Sequence, residues 1–246
     1  MDKVNVLGVM FDNVTMEQAV TRVVELVEGG RTAFVVTPNS EIAYDCINNS
    51  KFRGLINSAD LTVPDGAGVV LASKILRRPV RQKVAGVELA AAVLPELAKH
   101  QKRLFLLGAK PGVAEQAAEE MKRLTPGLNV CGCLHGFFSS DEEAIAVINA
   151  AEPDIIFVGL GSPKQEQWMY ANAEKIVPCT MMGIGGSLDV FAGVAKRAPN
   201  IMVRMNLEWL YRLYKQPSRL TRMLRLPKYL FAALRERKNH TVSEGY

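Results

Sequence analysis

Cysteine and histidine are scarce in this 246-residue sequence, which contains four of the former and three of the latter. Only two of the cysteines are close together, as a C-x-C pair, and no arrangement matches the ligand spacing of a zinc site. An isolated cytosolic cysteine is usually a small core residue. We therefore expect no metal site and no cofactor. The residues concerned are Cys46, Cys131, Cys133, Cys179, His100, His135 and His240.

Long apolar runs and the common nucleotide-cofactor motifs are also missing. No stretch of about 18 apolar residues occurs, so no transmembrane helix is expected. The first residues lack a signal-peptide pattern, and we therefore expect a cytoplasmic protein. Neither a G-x-G-x-x-G motif nor a Walker P-loop is present, so neither NAD nor ATP is favoured as a ligand.

What the sequence does contain is a regular alternation of strand and helix signals. Apolar, β-rich runs predict strands at 5–11, 32–37, 59–66, 103–108, 128–134, 154–160 and 179–186. Capping-box spacings begin helices after Thr15 and Ser140, and helical patterns cover 67–76 and 87–100. Such alternation is typical of a parallel sheet flanked by helices, so the predicted fold class is α/β.

Polar or glycine-rich segments follow five of the predicted strands. In parallel sheets of this kind, ligands bind where the carboxyl ends of strands meet the amino ends of helices. If the sheet brings these segments to one edge, they form a ligand pocket. They occupy 37–39, 64–66, 108–110, 159–167 and 185–189.

The stretch GLGSPKQEQWMY, residues 159–170, is the most informative of the five segments. Ser162 is a predicted N-cap, with Pro163 at the first helical position and Gln165 at capping-box spacing. A strand, a glycine turn and a helix start would aim several N–H groups at one spot, where anions bind. An ordinary helix start with a polar first turn is an equal alternative.

Charge is distributed unevenly along the chain. Residues 196–246 carry 12 lysines and arginines against 3 acidic residues, a net of +9, whereas residues 1–195 have a net of −4. The C-terminal segment is also rich in leucine, methionine and aromatic residues. We predict one domain at 1–195 and a basic amphipathic helical appendage at 196–246 that associates with an anionic membrane surface. A helix packed on the body or against an oligomer partner is the alternative.

Several sequence stretches carry a resemblance to a known family. They are TPNSE at 37–41, VPDGAGVV at 63–70, GLGSPKQEQW at 159–168, GIGGSLDVFAG at 183–193, and RAPN, LEWLYRL and QPSRL between 197 and 220. In order and spacing, over nearly the whole chain, they resemble the WecG/TagA/CpsF bacterial glycosyltransferases. The combination of GxGxPKQExW with LEWLYRL is specific.

The resemblance implies a Rossmann-like catalytic domain with a membrane-docking appendage, and an inverting transfer that needs no metal. TagA-like members move N-acetylmannosamine from UDP-N-acetylmannosamine to N-acetylglucosamine on undecaprenyl diphosphate, for the linkage unit of wall teichoic acid. WecG-like members move the uronic acid form of the sugar. The partners implied are a UDP-sugar donor and an undecaprenyl-diphosphate-linked acceptor, and we expect the TagA-like reaction.

An inverting transfer needs a base for the acceptor hydroxyl, and Asp65 is our candidate because it follows a predicted strand. It also matches the aspartate proposed as catalytic in the family. Thr37 and Asn39 follow a parallel strand, where they could bind sugar hydroxyls or orient Asp65. Turn formation or helix capping is the alternative role of these residues.

Candidate substrate-binding residues follow other strands. Gln167 matches a pocket residue of the family, and Lys164 could meet a phosphate, with a solvated lysine as an equal alternative. Asp189 is a candidate acceptor from a ribose hydroxyl, with a helix-start aspartate as the alternative. Lys83 stands where the family often has arginine; it keeps the charge but loses the bidentate fork, which weakens its case as a diphosphate ligand. The glycines that complete the set are Gly108, Gly159 and Gly186.

Three arginines of the appendage are candidates for binding the lipid pyrophosphate or anionic headgroups: Arg212, Arg219 and Arg222. Their role predicts peripheral attachment to the inner face of the cell membrane. Exposed apolar surface on the appendage predicts a homo-oligomer. The competing hypotheses are transfer of N-acetylmannosaminuronic acid or another sugar, a non-enzymatic scaffold, and a nucleic-acid-binding module. The last is disfavoured because no nucleic-acid motif occurs.

Overall fold

The computed structural model describes residues 2–195, 198–199, 202, 210–211 and 224–243, with the side chains of the last helix described as far as residue 239. The strands are β1 (Lys3–Val6), β2 (Val9–Asp12), β3 (Ala33–Val36), β4 (Leu61–Thr62), β5 (Arg103–Gly108), β6 (Asn129–Leu134), β7 (Ile155–Gly159) and β8 (Thr180–Gly183). The helices are α1 (Met16–Glu28), α2 (Ser40–Asn48), α3 (Ser50–Asn57), α4 (Ala67–Ile75), α5 (Gly86–Lys99), α6 (Val113–Leu124), α7 (Asp141–Ala151), α8 (Lys164–Asn172), α9 (Ser187–Phe191) and α10 (Arg225–Ser243).

Six strands form one parallel sheet in the order β4-β3-β8-β7-β5-β6, and β1 and β2 form a separate antiparallel hairpin. The central strands are continuous apolar runs, and the side chains of 104–107 in β5 and 155–158 in β7 are fully buried. Burial of a strand on both faces requires a layer of helices on each side of the sheet. The predicted α/β class is confirmed.

Helices cover both faces of this sheet. The core of one face is formed with α1, α5, α6 and α9, and the core of the other with α2, α3, α4, α7, α8, α10 and the hairpin. As a result, β3 and β7 lead into helices on one face, whereas β8 and β5 lead into helices on the opposite face. Neighbouring strands whose connections leave on opposite faces open a crevice at the carboxyl edge of the sheet.

Local sequence signals placed two helix starts correctly. Thr15 and Gln18 form the predicted capping box at the start of α1, where each side chain bonds the backbone of the other residue. Ser140 caps α7 by accepting the backbone N–H of Glu143 at 3.2 Å. These short-range hydrogen bonds depend on sequence spacing alone, which is why the sequence predicts them.

The predicted single strand at 5–11 is wrong. Leu7 and Gly8 have φ values of 55° and 89°, and they reverse the chain between β1 and β2. A positive φ at both central residues is what a two-residue hairpin turn of type I′ requires. The apolar residues on both sides of the turn concealed it in the sequence.

The last helix, α10, packs against α2 and α4. Tyr229 and Ala233 are fully buried, and Arg225 Nη1 forms an ion pair with Asp45 Oδ2 at 2.6 Å. This part of the predicted appendage is therefore a helix packed on the body, while its membrane association and the boundary at residue 195 stay predictions. Among the described helices, none has the length and apolar character needed to cross a bilayer.

Candidate active site

The carboxyl edge of the sheet collects the polar segments that follow its strands. Because β4, β3, β8, β7 and β5 are consecutive neighbours, the segments that leave them lie side by side. Asp65 after β4 is thereby next to Thr37 after β3, and the segment 184–187 after β8 is next to 160–163 after β7. The expected convergence of these segments at one edge is present in the structure.

Asp65 is fixed at this edge through backbone hydrogen bonds between neighbouring segments. Its N–H donates to the carbonyl of Pro38 at 3.3 Å, and the N–H of Val84 donates to the carbonyl of Pro64 at 3.0 Å. The Asp65 side chain is half-buried, as is that of Lys83, which immediately precedes Val84. The predicted base and the predicted diphosphate ligand therefore belong to segments that are bonded to each other.

Thr37 and Asn39 each have a structural partner. Thr37 is buried, and its Oγ1 donates to the carbonyl of Gly183 at 3.2 Å, which ties the end of β3 to the end of β8. Gly86 packs so closely that a Cβ there would lie 2.8 Å from this hydroxyl. Asn39 Oδ1 accepts two backbone N–H groups of α2 at 2.9 and 3.1 Å. Asn39 thus has the helix-capping role given as its alternative, and sugar contact stays a prediction for both residues.

Backbone contacts at glycines join three neighbouring strand ends. A Cβ on Gly108 would collide with the carbonyl oxygen of Gly159, and a Cβ on Gly159 would lie 2.9 Å from that of Gly185. Close packing of the strands therefore requires glycine at 108 and 159, whether or not a substrate approaches. Gly186 is exposed, and a Cβ there would lie 3.8 Å from the half-buried carboxylate of Asp189.

The start of α8 differs from the sequence prediction. The helix begins at Lys164 after a cis Ser162–Pro163 bond, and among the described residues no side chain caps it. The backbone N–H of Gln165 donates to the carbonyl of Gly161 at 2.8 Å. The predicted Ser162 cap is wrong, because the N–H that the Ser162 hydroxyl would bind is bonded to the Gly161 carbonyl and the helix begins after Pro163.

Gln165 and the residue after it form a buried polar pair behind the strand ends. Gln165 Oε1 accepts the backbone N–H of Gly185 at 2.9 Å, and its Nε2 donates to Glu166 Oε1 at 2.8 Å. Gln165 is 2% exposed and Glu166 is 1% exposed. The amide of Gln165 therefore links the first turn of α8 to the segment that leaves β8.

Burial raises the pKa of the Glu166 carboxyl, against the opposing effects of the Gln165 amide and the Ser162 hydroxyl. Its second oxygen, Oε2, is buried, and the Ser162 hydroxyl that acts on the carboxyl does not form a hydrogen bond of standard length and angle with it. Desolvation favours the uncharged form of a carboxyl group. Burial therefore makes the charged form of Glu166 less favourable here than it is in water.

Two residues predicted from the same stretch lie on the other side of the helix. Lys164 and Gln167 are exposed, and Lys164 Nζ lies 5.5 Å from the centre of the Phe138 ring. Sequence reasoning missed Gln165 and Glu166 as site residues. Helical spacing could have found Gln165, since it shares one buried face with residues three, four and seven positions later: Trp168, Met169 and Asn172.

At the carboxyl edge, where the connectivity of the sheet predicts a crevice, the polar residues form two groups at its two ends. We call Thr37, Asp65 and Lys83 the carboxylate end, and Gln165, Glu166 and Gly185 the amide end. A carboxylate at a strand end can accept a proton, and a nearby lysine can stabilise an anionic leaving group. The predicted lipid-binding residues Arg212, Arg219 and Arg222 lie outside the described residues. A parallel α/β sheet with polar segments at its carboxyl edge is typical of proteins that bind ligands at their strand ends.

Comparison with known proteins gives the family. Residues 4–243 match the Glycosyl transferase WecG/TagA/CpsF family, and the chain belongs to it. It is similar to an N-acetylglucosaminyldiphosphoundecaprenol N-acetyl-beta-D-mannosaminyltransferase of Bacillus spizizenii, with 38% identity over 206 residues, 84% of this chain and 80% of the relative. A Staphylococcus aureus protein of the same name is 38% identical over 232 residues, 93% of this chain and 91% of the relative. The predicted family is confirmed.

Proposed function

We propose that the protein transfers N-acetylmannosamine from UDP-N-acetylmannosamine to N-acetylglucosamine on undecaprenyl diphosphate, a step in synthesis of the wall teichoic acid linkage unit. The observation that carries this proposal is the placement of Asp65 and Thr37 at adjacent strand ends beside the crevice. Family membership supports glycosyl transfer as the reaction class. The names of the two relatives support the choice of sugar and acceptor.

In this proposal the transfer is a single displacement that inverts the anomeric centre. Asp65 takes the proton from the acceptor hydroxyl while the oxygen of that hydroxyl forms a bond to the anomeric carbon of the donor sugar. The bond from that carbon to the β-phosphate oxygen breaks, and UDP leaves with the electron pair. Lys83 is placed next to the Asp65 segment, where its charge would stabilise the departing diphosphate.

The other predicted contacts take supporting roles. Thr37 ties β3 to β8, so the Asp65 segment keeps its position relative to the crevice. Lys164 and Gln167 are exposed at the start of α8, where they would contact a substrate lying over the edge of the sheet. Asp189 would accept a hydrogen bond from the donor ribose beside the exposed Gly186. We propose that none of these steps requires a metal ion or another cofactor.

The lipid-linked acceptor calls for peripheral attachment to the inner face of the membrane. On α10, Phe231 is 69% exposed and Leu234 is 46% exposed, beside the exposed basic residues Lys228 and Arg235. Apolar side chains next to basic ones suit a bilayer interface, where each basic residue is worth about 1 kcal/mol. Flotation with anionic vesicles tests the attachment, and sedimentation velocity tests the proposed homo-oligomer.

The decisive experiment measures UDP release from UDP-N-acetylmannosamine, with and without a polyprenyl-diphosphate N-acetylglucosamine analogue, in the presence of EDTA. We expect release that depends on the acceptor, survives EDTA and disappears in Asp65→Ala. Release only with the uronic acid donor would replace the proposed sugar. Loss of release on adding EDTA would contradict the metal-free mechanism, and no release with either donor would contradict the proposed transfer.

A further inference from the structure

A buried carboxyl group stands directly behind the crevice without taking part in the proposed chemistry. Glu166 is 1% exposed, and none of the described residues forms a hydrogen bond of standard length and angle with Oε2. Leaving a polar atom buried in this way costs free energy that a hydrophobic residue of similar size would avoid. Such a group calls for a reason other than stability.

The contacts of Glu166 lead to the substrate edge through one intermediary. Glu166 Oε1 accepts from Gln165 Nε2 at 2.8 Å, and Gln165 Oε1 accepts from the Gly185 N–H at 2.9 Å. The same amide packs on Gly183, where a Cβ would lie 2.9 Å from Nε2. The carbonyl of Gly183 in turn accepts a hydrogen bond from the Thr37 hydroxyl. This chain of contacts therefore runs from Glu166 to the end of β8 and on to the end of β3, the two strand ends at the centre of the crevice.

We propose that Glu166 is a positioning residue, whose carboxyl fixes the orientation of the Gln165 amide so that its oxygen holds the Gly185 N–H at the crevice. A side-chain amide has a donor end and an acceptor end of nearly the same shape. The acceptor Glu166 Oε1 selects the orientation that turns the oxygen towards Gly185. Without that acceptor, a rotated amide would bring two donors face to face at Gly185. The consequence for turnover rests on the proposed function, whereas the effect on Gly185 does not.

The role requires an acceptor at the right distance and does not require a negative charge. Glu166→Gln keeps the length of the side chain and an acceptor oxygen, and it resembles the neutral carboxyl. Glu166→Asp keeps the acidic group but is one methylene shorter. Glu166→Ala removes the acceptor. Glu174→Ala is the matched control, because Glu174 is an exposed glutamate shortly after α8.

The first readout is turnover in the UDP-release assay. We expect Glu166→Gln and Glu174→Ala to retain turnover. We expect Glu166→Ala and Glu166→Asp to lose about tenfold to a hundredfold, up to the loss that a misplacement of about 1 Å causes. If Glu166→Gln falls as far as Glu166→Ala, a charged or proton-transferring role replaces the positioning role.

A double-substitution cycle tests whether Glu166 acts through its neighbour. Gln165→Ala removes the intermediary, so adding Glu166→Ala to it should cause little further loss of turnover. If the two residues acted independently, the fold losses of turnover in Gln165→Ala and Glu166→Ala would multiply in the double variant. Thermal unfolding of all variants shows whether each one is folded. If the alanine variants fail to fold, Glu166→Gln still tests the proposal, because its side chain can keep the contact to Gln165.

The second readout does not depend on any substrate. The backbone amide of Gly185, followed by nitrogen–proton NMR and hydrogen exchange, reports whether the Gln165 oxygen still accepts its hydrogen bond. We expect faster exchange in Glu166→Ala and an unchanged rate in Glu166→Gln. An unchanged rate in Glu166→Ala would overturn the proposal. If the wild-type protein released no UDP, the transfer proposal would fail while the Gly185 measurement still decided the role of Glu166.

Discussion

The two ends of the crevice are built in opposite ways. At the carboxylate end, the Asp65 and Lys83 side chains are half-buried, and backbone hydrogen bonds between their segments hold them in place. At the amide end, Gln165 and Glu166 are buried, and their side chains are hydrogen-bonded to each other. The Gln165 side chain also accepts the Gly185 N–H, which joins α8 to the segment after β8. The proposed reactive groups thus lie where a ligand can reach them, and the buried pair behind them fixes the geometry of the strand ends.

The largest expected effect is a loss of turnover, without a matching loss of stability, when Asp65 at the carboxylate end is replaced. Asp65→Asn keeps the size and polarity of the side chain but removes the proton acceptor. A missing general base costs about 10²- to 10⁴-fold in rate. We expect turnover to fall by that factor, while the free energy of unfolding changes by about 1 kcal/mol or less, because the half-buried side chain keeps its size and polarity.

Initial rates of UDP release and urea unfolding of the same preparations check this prediction. Asp65→Glu is a useful companion, because it keeps the carboxylate and moves it. Turnover of Asp65→Asn within tenfold of the wild type would show that another group takes the proton.

At the amide end, one added methyl group should disturb both activity and stability. Gly183 is buried in β8, and a Cβ there would lie 2.9 Å from Gln165 Nε2. We expect Gly183→Ala to destabilise the fold by about 1–3 kcal/mol through overpacking, and to lower turnover because the amide must move.

Gly54→Ala provides the matched control for that substitution. Gly54 lies in α3, and apart from its chain neighbours and the backbone of its own helix, no described atom is within 4 Å of a Cβ placed there. Replacing a helical glycine by alanine should stabilise the protein by about 0.5–1 kcal/mol. Urea unfolding compares the two variants, and equal stability of both would contradict close packing at Gly183.

A smaller effect is expected at Asn39, where capping and sugar contact can be separated. Asn39→Ala should cost about 1 kcal/mol of unfolding free energy, since α2 loses its cap. Asn39→Ser retains an oxygen that can cap the helix and should recover most of that stability. If turnover also recovers in Asn39→Ser, the cap explains the residue; if turnover stays low, Asn39 contacts the substrate.

Sequence reasoning succeeded where the decisive interactions are local or periodic. The α/β class followed from alternating patterns, and the caps at Thr15 and Ser140 followed from the spacing of two residues. The convergence of the strand ends followed from the geometry of parallel sheets. Asp65 and Thr37 were placed beside each other for the same reason.

The amide end was not predicted, because it depends on which way a helix is turned against the sheet. Gln167, predicted from its place in a motif, is exposed, and its contact with substrate stays a prediction; Gln165 was assigned to a capping box that does not form. The packing of α8 against the end of β8 determines that the side chain of Gln165, and not that of Gln167, is buried. The Leu7–Gly8 turn was missed for a related reason, since apolar residues continue on both of its sides.

The subtlest prediction concerns the dependence of stability on pH at the amide end. Burial raises the pKa of Glu166 above the ordinary value of 4.5, so the folded protein binds its proton more tightly than the unfolded chain does. The stabilisation linked to that proton is complete below about pH 4.5 and is lost as the pH rises through the higher pKa of the folded state. The free energy of unfolding of the wild type should therefore fall relative to that of Glu166→Gln over this range.

Other ionisable groups near Glu166 do not obscure the measurement. Cys46 on α2 and Tyr170 on α8 interact electrostatically with it, and burial raises the pKa of each to about 12. Both groups stay neutral between pH 4.5 and 8, so the difference between wild type and Glu166→Gln isolates one carboxyl. Urea unfolding at intervals of pH gives the two curves. Parallel curves would mean that Glu166 titrates alike in both states, and the amide end would then tolerate a charged carboxylate.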